Sequence, residues 1–178
     1  TSLYATFYQA GEMNADLSGW KVGKVVTLTS TFNGASKFTG IGLSSWDTAS
    51  ATSLGYTFDG ASVMNADLIA WKVGKVASLD STFSSASKFT GTGLSAWDTA
   101  SATTLERTFQ FASGSVIASE MNADLTGWKV GNVVTLYYTF HSASKFTGTG
   151  VDTWDVAKVK RMEGTFVGTA SLTTCNKR

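Results

Sequence analysis

The stretch Met13-Asn14-Ala15-Asp16-Leu17-Ser18-Gly19-Trp20-Lys21-Val22-Gly23 decides how this chain is read, because its frame returns at Met64 and again at Met121. Between its copies stands a second frame, Lys37-Phe38-Thr39-Gly40-Ile41-Gly42-Leu43-Ser44-Ser45-Trp46-Asp47, which returns at Lys88 and Lys145. The dipeptide Thr-Phe ends at Phe7, Phe32, Phe58, Phe83, Phe109, Phe140 and Phe166, in steps of 25, 26, 25, 26, 31 and 26. All six tryptophans, Trp20, Trp46, Trp71, Trp97, Trp128 and Trp154, follow the same steps. Self-similarity at such a period marks a repeat architecture. The 178 residues divide into six full coils and a partial seventh, of two alternating kinds. The long step comes from an insertion at about 113–119, and an insertion that spares the flanking pattern belongs in a surface loop.

Apolar residues sit at fixed offsets in every coil. Three before each Trp stand Leu17, Leu43, Leu68, Leu94, Leu125 and Val151; three after most Phe stands Ala, as in Ala35. One coil cannot close a core, but stacked coils line these positions into ladders. The Trp series and Phe32, Phe58, Phe83, Phe109 and Phe140 are the predicted structural ladders. Leu-x-x-Trp-x-Val has the spacing of a leucine-rich-repeat strand. It predicts one short parallel strand per coil near Trp20 and its equivalents. Leu28, Phe32 and Ala35 lie three and four apart, which predicts a short helical turn on the opposite side. The expected fold is a leucine-rich-repeat-like, right-handed coil stack over residues 1–178, with a mostly-β solenoid as the near alternative.

Composition excludes several classes. Net charge is +1, 15% of residues are charged and 12% are aromatic, which argues against disorder and against a nucleic-acid binder. No apolar run is long enough to span a bilayer. Cys175 is alone, so no internal disulfide forms. No nucleophile, base and orienter recur together, so no enzyme, cofactor or metal is expected.

The residue after each Trp alternates in sign: Lys21, Asp47, Lys72, Asp98, Lys129, Asp155. In a parallel stack, equivalent positions lie about 4.8 Å apart. A column of one sign would repel itself, whereas alternation makes each vertical neighbour attractive and penalises a slip by one coil. This column is the candidate interaction face.

The string from Met13 to Phe32, Met-Asn-Ala-Asp-Leu-Ser-Gly-Trp-Lys-Val-Gly-Lys-Val-Val-Thr-Leu-Thr-Ser-Thr-Phe, resembles the repeat of BspA-like leucine-rich-repeat surface proteins. Such repeats occur in bacterial surface proteins, mycoplasma lipoproteins and some marine protists. The likeness runs through all seven coils. It departs where Met13, Met64 and Met121 replace a Phe, where alternate coils lose Asn-x-Asp, and where Thr replaces the Met before the terminal Phe. The resemblance implies an extracellular or cell-surface, non-enzymatic module used in adhesion or assembly.

Other chemistry competes with blander readings. Asp16, Asp67 and Asp124, with Asn14, Asn65 and Asn122, offer too few oxygens for Ca²⁺ and read as turn-closing residues. Thr39, Thr90, Thr92, Thr147 and Thr149 form an ice-binding-like pattern, but on alternate coils only. His141 sits at a variable polar position and reads as exposed. The chain starts and stops within a coil, which predicts a piece of a longer chain or self-association through open ends. The expected function is a structural, protein-binding repeat module, the alternative being a carbohydrate- or ice-binding module that uses the regular polar face.

Overall fold

The computed structural model describes residues 1–112 and 118–173. Most of the insertion, and Cys175, lie outside the described residues. Successive coils run parallel, joined by isolated bridges from Ser2 through Thr27, Ser53, Ser78, Thr104 and Thr135 to Arg161. Around each bridge the backbone amides alternate in direction. Leu28, Ser30, Phe32 and Gly34 donate to Ser53, Gly55, Thr57 and Asp59 of the next coil at 2.7–3.1 Å. The amides between them turn inward, Thr31 to Leu28 and Asn33 to Ser30, at 3.0 and 3.2 Å. Every donor in this segment is thus satisfied, either by its own coil or by the next.

This alternation needs left-handed residues. Ser30 has φ 56° and Gly34 φ 74°; the equivalents of Ser30, namely Ala5, Tyr56, Ser81, Arg107 and Tyr138, also have positive φ. Such residues interrupt pleated geometry, so among the described residues the pairing never extends beyond single bridges. The inter-coil pairing therefore runs through the Leu28 to Ala35 stretch, where the sequence predicts a helical turn. The predicted strand positions instead hold tight turns, three of them 3₁₀: Leu43–Ser45, Leu94–Ala96 and Val151–Thr153. Gly42, at φ 91°, turns the chain into the first.

The core is a set of aromatic columns. Consecutive Phe rings from Phe7 to Phe166 stack at 5.5–5.6 Å between centroids. Consecutive Trp rings stack at 6.2–6.4 Å. These offset-stacked distances suit the ring quadrupoles. Trp46, Trp71, Trp97 and Trp128 donate their indole N–H to the carbonyls of Leu17, Leu43, Leu68 and Leu94. The column crosses the insertion without a dislocation: Trp97 and Trp128 are 6.2 Å apart.

From the second coil on, the Thr before each Phe is buried, and for a reason. The hydroxyl of Thr57 lies 3.0 Å from Leu28 O and 2.6 Å from Leu54 O, carbonyls of adjacent coils. Thr31, Thr82, Thr108 and Thr165 repeat this bridge. Methionine there would leave those carbonyls without this donor.

The two kinds of coil interlock sterically. A Cβ on Gly42 would lie 2.2 Å from Ser18 N, and one on Gly40 would lie 2.6 Å from the Ala66 Cβ. Gly-x-Gly coils therefore pack their backbone directly on the Met-Asn-Ala-Asp coils on both sides. Asn14 Oδ1 accepts from the amide and hydroxyl of Thr39, and Asn65 and Asn122 do the same for Thr90 and Thr147. Thr48 completes the junction to the following coil, accepting from Lys72 N at 2.8 Å.

Candidate interaction face

The Lys/Asp column is fixed by the turn that follows each Trp. Asp47, Asp98 and Asp155 each accept, through Oδ1, the amide two residues on: Ala49, Ala100 and Ala157. All six charged residues are exposed. The vertical pairing expected from the sequence forms at alternate steps. Asp47 meets Lys72 at 4.0 Å and Asp98 meets Lys129 at 3.1 Å. Among the described residues no ion pair joins Lys21 to Asp47, Lys72 to Asp98, or Lys129 to Asp155. Hydrogen bonding from the Lys129 ammonium, then from the Ala100 amide, holds the Asp98 carboxyl below the usual range. These side chains are 56–72% exposed, so each pair contributes only about 0.2–1 kcal/mol. Register within the stack is set by the glycine and Asn–Thr junctions more than by charge.

The turn-closing reading of Asp16, Asp67 and Asp124 matches their geometry. Their Oδ1 atoms accept the amides of Ser18, Ile69 and Thr126 at 2.8–2.9 Å. The Ser18 amide is the chief reason that Asp16 titrates below its ordinary value. Asn14, Asn65 and Asn122 instead bind the next coil, a role the sequence reading missed. Among the described residues no group of three or more potential metal-binding side chains gathers.

His141 is a correction. Its ring packs against that of Tyr138, 4.6 Å between centroids, and it is 8% exposed rather than a surface residue. Phe111, which fits no ladder in the sequence, is buried too, and its amide donates to His141 O at 2.8 Å. Nearby, the guanidinium groups of Arg107 and Arg161 lie 5.0 and 4.3 Å from the centre of the Tyr137 ring. Glu106 pairs with both, at 3.0 and 3.4 Å. The signal for this cluster is a break in one column: every earlier coil carries Ser or Thr where Arg161 stands, while the column of Glu106 and Tyr137 is variable, with Tyr4, Thr29, Gly55 and Asp80 before them.

A cleft of about 820 Å³ opens beside the first coil, lined in part by Leu3, Trp20, Val22 and Val25. Trp20 is 38% exposed there, while the other five indoles are at most 8% exposed. No described helix is long and apolar enough to cross a membrane.

A family model described as "Mycoplasma protein of unknown function, DUF285" matches residues 1–117 and 111–177. No curated protein and no solved structure matches the chain.

Proposed function

Because the chain belongs to the DUF285 family of Mycoplasma proteins of unknown function, we propose that it is a non-enzymatic repeat module of the BspA-like kind. In this reading it is a leucine-rich-repeat-like, right-handed solenoid, displayed at a cell surface and used in adhesion or in assembly with protein partners. The observation that carries the reading is how the aromatic residues are used. Phe32, Phe58, Phe83, Phe109 and Phe140 are fully buried, and five of six tryptophans are buried with them. A sugar platform wants recurring exposed aromatic faces, whereas the repeating exposed feature here is the alternating Lys/Asp column. The Thr90–Thr92 and Thr147–Thr149 hydroxyl pairs sit on alternate coils and are spent partly on Asn65 and Asn122. That disfavours a continuous ice-binding face.

Negative-stain electron microscopy of the purified protein, over a dilution series at low and high salt, tests the reading. Ordered clusters or filaments that form as concentration rises support assembly. Dispersed particles at every concentration exclude self-assembly and require a different protein partner.

A further inference from the structure

The six charged residues of the exposed column have a property beyond vertical pairing. Read from either end, the order of signs is inverted: plus, minus, plus, minus, plus, minus becomes its complement. We propose that this face binds a second copy of the chain, antiparallel, about a two-fold axis lying across the stack between Lys72 and Asp98. The inference rests on the interaction-module reading above and names its partner. Lys21 then faces the partner's Asp155, Asp47 faces the partner's Lys129, and Lys72 faces the partner's Asp98. Every position meets its opposite charge, and each pair occurs twice by symmetry. The parallel arrangement, in which each residue meets its own copy, sets like against like at all six positions. The pattern thus favours one orientation and penalises the other.

Three features suit the face to this contact. The column is evenly stepped, because the Trp rings beneath keep a 6.2–6.4 Å spacing throughout, the insertion included. Its side chains are exposed, and the two vertical pairs engage the middle four, so among the described residues Lys21 and Asp155 at the two ends have no ion pair. The flanking columns are small: Gly19, Ala70 and Ala96 on one side, Gly74, Ala100 and Ala157 on the other. Small flanks let two charged ridges approach without a steric barrier. One term opposes the pairing, since Lys24 would lie opposite the partner's Lys158. Lys158 is drawn to Asn132 Oδ1 at 2.7 Å, at the extreme of the face.

Charge reversal with recombination tests this. Sedimentation velocity of the wild-type protein at about 20 mM salt is expected to show a concentration-dependent dimer, lost at about 500 mM salt as screening shortens the field. Lys72→Asp and Asp98→Lys should each weaken dimerisation at least about tenfold, because each sets two like-charged pairs face to face. An equimolar mixture of the two variants should restore the dimer, since each then supplies what the other lacks. Lys129→Asp with Asp47→Lys repeats the test at a second pair, and circular dichroism melting selects the variants that fold. A wild-type monomer at every concentration in low salt overturns the proposal. So does a dimer that keeps full strength in both single variants, or a mixture that fails to recover it. Larger assemblies that survive both reversals would leave the assembly function standing while removing this face. A dimer that never grows would do the reverse.

Discussion

Asp59 shows how a stacked coil tunes a single residue. It stands in a polar column with Asn33, whose amide nitrogen lies 3.4 Å from Asp59 Oδ2. Burial pushes its carboxyl above the ordinary value of 3.8, and the charge of Asp80 adds to this, while a hydrogen bond from Ser84 opposes it. The folded protein therefore holds this proton more tightly than the unfolded chain does. Stability falls as pH rises from the ordinary Asp value through the raised folded value, and the loss persists at neutral pH. Asp59→Asn keeps an oxygen for Asn33 and removes the buried charge. It should raise the melting temperature at pH 7 by about 1–3 °C and leave it unchanged near pH 3. Thermal melts at both pH values check this. Asp98 carries the opposite sign: its carboxyl is held low by Lys129, so its contribution is lost as pH falls through that lowered value.

At the scale of the coil, the junction between the two kinds is close contact of backbone and methyl groups. Gly91 has φ 93°, and a Cβ there would lie 2.4 Å from the Ala123 Cβ. Gly91→Ala should cost on the order of 3–5 kcal/mol, combining the clash with left-handed strain. Adding Ala123→Gly should remove the closest contact and recover part of that cost, leaving about 1–3 kcal/mol from left-handed strain together with the Ala123 backbone at 3.2–3.3 Å. A double-mutant cycle by urea unfolding reads the difference as coupling between coils. The period of these coils is legible in the sequence because one Trp and one Thr-Phe mark each of them. The backbone within a coil is less legible. Leu-x-x-Trp suits a strand, but the same spacing serves a tight turn once Gly42 or Asp16 initiates it. Ser30 and Tyr56 adopt positive φ without being glycine, so nothing in their side chains announces the turns that carry the inter-coil ladder. The Lys/Asp column can be read because its signs alternate. The Asn14 to Thr39 bond cannot, because its partners belong to different motifs 25 residues apart.

For the whole molecule, the unit that can be added or removed is a pair of coils. Deleting residues 13–63 removes one coil of each kind and sets Met64 in the place of Met13, so the next junction meets its normal neighbour. Deleting residues 38–63 sets two Met-Asn-Ala-Asp coils together, with no Thr39 for Asn14 and no glycine backbone against Leu17. The first deletion should unfold cooperatively in urea, with a slope reduced in proportion to the surface removed. The second should lose the junction hydrogen bonds and packing, lowering the midpoint well below that of the longer deletion, although it removes fewer residues. Stability in such stacks is the sum of coils and of the junctions between them, and here the junction term distinguishes neighbours.

The indole column also makes the protein its own optical gauge. Six like chromophores in file exchange excitation along the stack, so light absorbed anywhere drains toward the member with the lowest emission energy. Trp20, the most exposed of the six indoles at 38%, is expected to be that member. A dissolved quencher such as iodide reaches this one indole directly, yet dims the glow of the rest through it. Covering Trp20 would shift the colour of the whole ensemble at once.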